Sequence, residues 1–414
     1  AFVMVFTGMG IGSWGVDTAW ATGGSESTST SAAWDGTATT APAQVDGVYQ
    51  IGTGAELAWF AAKVNDGTAA NANAVLTDDI DLGSKEWTPI GNSSAPYTGN
   101  FDGQNHQIKN LLITKGETEH VAFIGYAKGS KLQNLTVAGE INISNASITA
   151  AGGLAGCVGG SDEIINCVSE VSITLDQIDG GDSVFAGGIC AQNTILAKAK
   201  VIGSVNRGNI ICSASANQKV LIGGIVGSGS MYLMIENSLN TGSIHATINK
   251  GEKLYAAGII CVTATFSPKI TNCINLGAVN TAISDGVWAT AKKAAIGVSI
   301  KANPTNCYYL EGSADCGMVD GQGNAVADEI SGIVCKDANA MKESAVLDAL
   351  NSATSTSGYA VTWEAGTDGY PQIAEVYKAE GIKSFVVADV SATIDRTAKL
   401  ITATLPEGTE LTNL

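Results

Sequence analysis

The stretch Ile235–Gly242, which reads IENSLNTG, decides the fold, because versions of it return at intervals of 32 to 37 residues or multiples of them. Each copy has an apolar residue, one spacer and Asn, and most copies continue to Gly and a second apolar residue. Fixed self-similarity of this length is typical of solenoids, in which each repeat forms one layer. The other clear copies begin at Leu132, Ile164 and Ile270.

The body of the repeat predicts strands. Short segments such as Ser243–Ile248 alternate apolar and polar residues and are rich in β-branched side chains. The 50 glycines of the chain leave no room for long helices. We therefore expect an all-β fold, a right-handed parallel β-helix. A glycine-rich run recurs in each repeat, at Gly152-Gly153, Gly187-Gly188, Gly223-Gly224 and Ala257-Gly258.

The recurrent Asn predicts a corner of the coil. A corner residue often needs positive φ, which Asn and Gly tolerate best, and the one rung without Asn carries Gly there. Stacked Asn side chains could then bond to one another from rung to rung. The alternative is a set of ordinary polar turn residues without stacking. The predicted corner ladder consists of Asn110, Asn134, Asn166, Gly203, Asn237, Asn272 and Asn306.

Both open ends of the coil carry helical patterns, which would protect the sheet edges from aggregation. Thr53 and Glu56 have capping-box spacing, and apolar residues follow at helical intervals, so we predict a helix over 54–65 that covers the first rung. A second helical pattern follows Asp337 and runs into a closing strand at Tyr359–Trp363. The predicted fold thus has short helical caps at both ends.

The segments outside the repeats suggest four regions. Residues 1–21 resemble the remnant of a signal peptide with a small-x-small cleavage site at Ala19–Ala21. Residues 22–44 are mostly Ser, Thr, Gly and Ala with almost no large apolar side chain, which predicts a flexible linker. Residues 45–378 would form the β-helix with its caps. Residues 379–414 alternate as strands and are expected to open an immunoglobulin-like β-domain that continues beyond Leu414.

Composition excludes several classes of partner. The formal net charge is −17, and Arg207 and Arg396 are the two arginines of the chain. Nucleic acid and anionic lipid both require a basic surface, so we expect neither as a partner. The apolar runs are shorter than the roughly 20 residues that span a bilayer. We expect a protein that is secreted or held at a bacterial cell surface.

The nine cysteines form no CxxC pair, which argues against zinc-knuckle and redox motifs. Most lie inside apolar runs and are expected to be small buried side chains. Cys273 and Cys307 follow the recurrent Asn on neighbouring rungs. A disulfide between them is possible, and the sequence leaves that question open.

The repeat also resembles a known family. The runs Gly152–Gly156 and Gly223–Gly227, followed by the pattern Ile-x-Asn-x-x-Asn-x-Gly, are similar to the GLUG motif of bacterial surface proteins. The lead-in around Trp87–Gly91 and Phe101–Ile108 is similar to the segment that precedes such arrays. The resemblance covers roughly residues 45–375. It implies a β-solenoid in a large exported, adhesin-like protein, or in the non-catalytic region of an immunoglobulin A peptidase.

The sequence suggests no catalytic or cofactor-binding residues. His106, His120 and His245 lack the spacing of a zinc site, and no nucleophile elbow is present. The loop acids Asp176, Asp179 and Asp182 are candidate calcium ligands, although a solvated acidic loop is the favoured interpretation. Exposed aromatic residues could form a ligand platform, and the alternative is that they cap the core. The candidates are Trp87, Tyr97 and Trp288.

We therefore expect a non-catalytic surface scaffold, an adhesin that displays a rigid β-solenoid to a host, cell-wall or glycan ligand, with no cofactor. One alternative is an accessory binding or spacer module of a larger surface enzyme, such as a peptidase or a glycan-active enzyme. A second alternative is a polysaccharide lyase or hydrolase in its own right, which would need a carboxylate pair or a charge-neutralising cation over a cleft.

Overall fold

The computed structural model describes residues 2–7 and 32–378, with gaps at 117–118, 180, 195, 216–217, 250, 263–266, 285–286, 288–289, 302–303 and 354. It also describes residues 386–387, 390–391, 393–395 and 400–405. The chain divides into two compact units. One comprises residues 30–353 and 363–373, and the other comprises residues 1–29, 354–362 and 374–414.

The larger unit is a coil whose strands lie in three sheets. Sheet 2 contains His120–Val121, Ala150–Gly152, Ser183–Gly187, Gln218–Gly223, Gly251–Ala257 and Thr290–Ala294. Sheet 3 contains Ile124–Ala127, Ala155–Val158, Cys190–Asn193, Val226–Gly229, Ile260–Val262, Gly297–Val298, Met318–Val319 and Ala325–Val326.

Sheet 1 is the longest and bends at the corners of the coil. Its strands are Ala43–Val45, Val48–Ile51, Asn73–Leu76, Ile80–Asp81, Asn100–Asp102, Gln107–Ile113, Lys131–Ser144, Glu163–Ile178, Lys200–Ile202, Val205–Asn206, Ile210–Ala214, Met234–Glu236, Leu239–Asn240, Ile244–Ile248, Lys269–Thr271, Ile274–Asn275, Val279–Ile283, Cys307–Leu310 and Ile333–Lys336.

Successive rungs pair in parallel and in register. One apolar column of sheet 1 shows the register, because Leu132 pairs with Ile164, and the column continues through Val201, Ile235 and Ile270. Each of these side chains is at most 3% exposed, since all point into the centre of the coil. Burial of such a column removes apolar surface from water at every rung, which is the main stabilising contribution. The prediction of a parallel β-helix is confirmed.

The N-terminal end of the coil is covered by helix α1, Gly54–Asn65. Thr53 and Glu56 form the predicted capping box. Leu57, Phe60 and Val64 lie on the buried face of the helix, as their spacing predicts. The ring of Phe60 packs 5.9 Å from that of Tyr97 and 6.3 Å from that of Phe101, measured between centroids. The helix therefore closes the core with aromatic contacts.

Part of the segment expected to be a linker packs against this end of the coil. Trp34 is 9% exposed, its backbone N–H donates to Asp81 O at 2.8 Å, and its ring lies 6.1 Å from that of Trp87. Its indole N–H donates to Ala38 O at 2.8 Å. A single large apolar side chain is enough to anchor a stretch whose average composition suggests flexibility.

The C-terminal part of the larger unit contains helix α2 (Asp328–Ser331), a 3-10 turn (Ala340–Lys342) and helix α3 (Ser344–Ser352). Strands Tyr359–Ala365 and Pro371–Lys378 follow in the sequence, and each has residues in both units. The last turn of α3 lies beside the coil, because Asn272 and Asn306 donate to its carbonyls at 2.9 and 3.0 Å. This cap therefore packs along a corner of the final rungs.

In the smaller unit, Phe2–Thr7 pairs antiparallel with Leu400–Leu405, which also pairs with Thr393–Asp395. Val386–Val387 pairs with Val390–Ser391. Residues 8–31 and much of 379–414 lie outside the described residues, so the signal-peptide and immunoglobulin-like assignments stay predictions. Among the helices of the described residues, none has the length and apolar character needed to cross a bilayer.

Candidate functional site

The predicted corner positions share one backbone conformation. Asn110, Asn134, Asn166, Gly203, Asn237, Asn272 and Asn306 all have φ between 50° and 58°. This left-handed region costs an ordinary L-residue roughly 1–2 kcal/mol, and Asn or Gly occupies it more easily. The choice between Asn and Gly at these positions therefore follows from the bend of the chain.

Asn side chains at adjacent corners are hydrogen bonded to one another. Asn166 Nδ2 donates to Asn134 Oδ1 at 2.8 Å, and Asn306 Nδ2 donates to Asn272 Oδ1 at 2.5 Å. Asn272 donates in the same way to Asn237. The ladder is interrupted at Gly203, which has no side chain to continue it. The hydrogen bonds between these asparagines keep the corners of adjacent rungs in register.

Asn110 belongs to a different corner, which corrects its place in the predicted ladder. The strand register puts Gly103, and not Asn110, directly before Asn134 in the column. Asn110 Nδ2 donates to Asp81 Oδ1 at 2.8 Å, beside a shift in the register of the strand that carries it. The sequence spacing could have excluded Asn110 from the ladder, because it precedes Asn134 by only 24 residues, which is less than one rung.

Leu135 follows the corner at Asn134, but from Asn166 onwards the residue after each corner is a small, buried hydrogen-bond donor. Its hydroxyl or thiol donates to the backbone carbonyl two residues earlier, at 3.0 to 3.4 Å. Ser and Cys can both make this bond, which explains why both residue types occur in this column. The column consists of Cys167, Ser204, Ser238, Cys273 and Cys307.

Cys273 and Cys307 are neighbours in that column, and both thiols are free. Burial, together with the adjacent Cys307 thiol, raises the pKa of the Cys273 thiol well above its usual value. Burial likewise raises the pKa of Cys167 to about 12. Such thiols stay protonated at neutral pH and serve as buried packing groups.

A second asparagine ladder, which sequence reasoning missed, lies in the core. Asn206 Nδ2 donates to Asn240 Oδ1, and Asn240 Nδ2 donates to Asn275 Oδ1, each at 2.8 Å. Each Nδ2 also donates to the carbonyl of the glycine two residues later, at 2.9 to 3.0 Å. All three side chains are fully buried. The recurrence of a second Asn in the pattern Ile-x-Asn-x-x-Asn-x-Gly could have indicated this ladder.

The core ladder explains the double-glycine runs. A Cβ added at Gly188, Gly224 or Gly258 would lie 2.2 to 2.4 Å from the side-chain carbon of the facing Asn. No real Cβ approaches an atom so closely, so glycine is required wherever the ladder residue is Asn. In the next rung Tyr309 takes the asparagine position, and Ala295 takes the glycine position. The ladder position and the facing glycine position therefore change together in this rung.

The predicted aromatic platform is wrong at the two positions that the structure describes. Trp87 is 2% exposed and its indole N–H donates to Phe123 O at 3.2 Å. Tyr97 is fully buried, its hydroxyl donates to Ala72 O at 2.9 Å, and burial raises its pKa. Both side chains belong to the core near the first rungs, where Tyr97 packs against Phe60 of α1 and Trp87 against Phe123, which was the alternative interpretation. Trp288 lies outside the described residues.

The three candidate calcium ligands engage separate partners. Asp176 accepts a hydrogen bond from the Ser213 hydroxyl at 2.7 Å, and Asp179 accepts one from the backbone N–H of Gly181 at 3.0 Å. Asp182 is exposed. Among the described residues, no three His, Cys, Asp or Glu side chains form a group that could hold a metal ion.

The three histidines lie on different strands or turns and in different surroundings. His106 Nδ1 lies 3.1 Å from Asp79 Oδ1 at the surface. The backbone N–H of Gln107 and the His106 ring lower the pKa of that carboxyl group. His120 is 8% exposed, and burial lowers its pKa. His245 is exposed on a strand of sheet 1.

A surface that the sequence did not suggest lies where sheet 3 turns into sheet 1. Leu196 is 75% exposed, Tyr232 50% and Met231 42%, values that are unusual for large apolar side chains. They lie on the corresponding loops of two adjacent rungs, and the exposed Lys198 Nζ lies 5.9 Å from the centroid of the Tyr232 ring. We call Leu196, Lys198, Met231 and Tyr232 the loop patch.

The fold has a counterpart among solved structures. The crystal structure of a "putative immunoglobulin A1 protease" from Bacteroides ovatus superposes with a TM-score of 0.54 and 20% sequence identity, over 78% of this chain and 91% of that one. At this identity the likeness establishes the fold alone. No family model matches the chain, and no curated protein matches it.

This likeness corrects the prediction that the chain is not an enzyme. A protein that shares the β-solenoid over most of its length is named as a protease. The expectation of a purely mechanical role rested on the solenoid and its repeats. These features do not distinguish a scaffold protein from a protease. The GLUG assignment rests on the quoted motifs, since no family model supports it.

Proposed function

We propose that this chain is the ligand-holding solenoid of a peptidase-type protein exported to a bacterial surface. The fold supports the proposal, because the coil is shared with a protein named as an immunoglobulin A1 protease. The observation that carries it is the in-register pairing of successive rungs along the lateral surface. Strands Lys131–Ser144 and Glu163–Ile178 pair in one register on both sides of the corner at Asn134 and Asn166, so side chains outside the coil are held at fixed spacing.

A stiff lateral surface suits a large ligand better than a small one. Ligand cavities for small molecules are enclosed and mostly apolar. The cavity beside Met318 and Val326 has a volume of about 500 Å³, but its carboxylate, Asp320, is already held by the backbone N–H groups of Gln322 and Asn324. The lateral surface is therefore the better candidate for recognition, and the acidic net charge of −17 favours a soluble, exposed setting.

Binding and cleavage assays on the full chain test this proposal. Immunoglobulin A1 is the first ligand to examine, with immunoglobulin G as the control, by biolayer interferometry with up to 10 µM of each (a concentration of the order used for weak complexes). We expect saturable binding of immunoglobulin A1 alone. Gel electrophoresis of the same mixtures shows whether the chain also cuts what it holds. Equal or undetectable signals for both immunoglobulins would argue against a peptidase-type ligand.

The adhesive role expected from the sequence belongs to the same proposal in a broader form. A surface that holds a host protein also attaches the cell that displays it. Adhesion of beads coated with the full chain to host cells, compared with beads coated with albumin, measures that contribution. Adhesion without binding of immunoglobulin A1 would favour the adhesin over the peptidase module.

A further inference from the structure

We propose that the loop patch docks an extended segment of a partner polypeptide that carries apolar side chains next to a carboxylate. This inference rests on the proposed function and names the chemistry of the ligand and the residues that receive it. Three large apolar side chains exposed side by side are the kind of surface that marks an interaction site. Single exposed apolar residues such as Ile211, which is 48% exposed, occur on most proteins and need no partner.

The two loops of the patch are fixed to each other before any ligand arrives. Ser230 Oγ donates to Ala197 O at 2.9 Å, and the Ser230 N–H donates to Asn193 Oδ1 at 3.2 Å. The backbone N–H of Tyr232 in turn donates to Ser230 Oγ at 3.3 Å. The two bonds of Ser230 to Ala197 and Asn193 cross from one rung to the next, and the bond from Tyr232 lies within its own loop. The exposed side chains therefore project from a preorganised base, which reduces the entropy lost on binding.

The residue types favour a peptide over a glycan. Met is flexible and polarizable and is over-represented at surfaces that bind varied peptide side chains. Tyr is among the residues that contribute most to protein interfaces. Leu196 is an aliphatic side chain with no group for hydrogen bonding to a sugar, and it is the most exposed of the three apolar members of the patch. An apolar peptide side chain would bury part of the exposed surface of Leu196 and Met231.

Charge defines the second part of the ligand. Lys198 lies at the edge of the patch, and within the described residues no carboxylate lies within 4.0 Å of its ammonium group. The neighbouring Lys200 is paired with Glu163 at 2.8 Å. In a chain with a net charge of −17, an accessible lysine beside apolar residues selects a ligand with a local negative charge.

Peptide selection on the full chain tests the inference. A phage-displayed library of random dodecapeptides is selected on the wild-type chain after removal of phage that bind the Leu196→Ser/Tyr232→Ser variant. We expect enriched peptides with two or more large apolar residues and an Asp or Glu close by. Tyr232→Ala should weaken their binding at least about tenfold. Lys198→Glu should weaken it similarly, whereas Ile211→Ser is the matched control and should leave it unchanged.

Two results would overturn the inference. One is that selection enriches no peptide that separates the wild-type chain from the double variant. The other is that a polysaccharide array, and not the peptide library, yields binding that depends on Tyr232. Binding of immunoglobulin A1 to the double variant separates this inference from the proposed function. If immunoglobulin A1 binds the double variant as well as the wild type, the loop patch is not its site although the broader proposal stands.

Discussion

Asn240→Ala tests whether the core ladder holds the coil together. The Asn240 side chain is fully buried and takes part in three hydrogen bonds, with Asn206, Gly242 and Asn275. Truncation to Ala leaves two buried acceptors, Gly242 O and Asn275 Oδ1, without this donor. A buried polar group that loses its partner costs about 1–3 kcal/mol, so we expect a loss of about 2–5 kcal/mol in the free energy of unfolding.

Urea unfolding followed by tryptophan fluorescence measures that loss, because the midpoint shifts with stability when the slope is unchanged. A solenoid can also lose structure locally, since each rung contacts mainly its neighbours. Amide hydrogen exchange should therefore show the largest loss of protection in the strands around Asn206, Asn240 and Asn275.

Asn280→Ala is the matched control for this experiment. Asn280 lies on strand Val279–Ile283, one rung further along, and its side chain is exposed. A surface substitution of this kind changes stability by no more than about 0.5 kcal/mol. If the two variants unfold at the same urea concentration, the ladder contributes nothing beyond an exposed Asn, and the explanation of the double-glycine runs fails with it.

Three further measurements follow from the same structure. Asn166→Gly should be more stable than Asn166→Ala by about 1 kcal/mol in urea unfolding, because glycine accepts the left-handed corner, and equal stabilities would refute this. NMR titration should place the pKa of Asp66 at about 2, since it accepts hydrogen bonds first from the Thr68 hydroxyl, then from the Thr68 N–H and from Lys63. Its stabilising contribution should be complete above pH 4 and be lost as the pH falls towards 2, and Thr68→Val should raise the pKa. A thiol reagent on the native protein should modify the exposed Cys335 first and Cys316 more slowly, with the seven buried thiols reacting only in denaturant.

The parts of the fold that depend on local chemistry could be predicted from the sequence. Thr53 and Glu56 fix the start of α1 through a capping box, whatever the rest of the chain does. The corner asparagines were predictable because a left-handed bend restricts the residue type at that one position. In both cases the sequence signal and its physical cause lie within a few residues of each other.

Features that depend on which residues face each other across the coil were harder to predict. Asn237 and Asn240 occur in the same motif with the same period, yet one forms the corner and the other stacks in the core. Only the approach of Gly224 to Asn240 distinguishes their roles, and those residues are 16 positions apart. Trp87 and Tyr97 presented the same difficulty, because nothing in their own segment shows that Phe123 packs against the one and Phe60 against the other.

Periodicity also explains why the loop patch escaped notice. A residue that recurs in every rung is constrained by the coil, so the repeats of this chain identify structural positions such as Asn134 and Gly188. Recognition needs side chains that differ from rung to rung, and Leu196 and Tyr232 lie in loops that occupy the same place in adjacent rungs but differ in sequence. In such a chain, we therefore expect binding residues at positions where the repeat sequence is not kept. If Leu196 and Tyr232 can be replaced by serine with no loss of any binding, that rule does not hold for this protein.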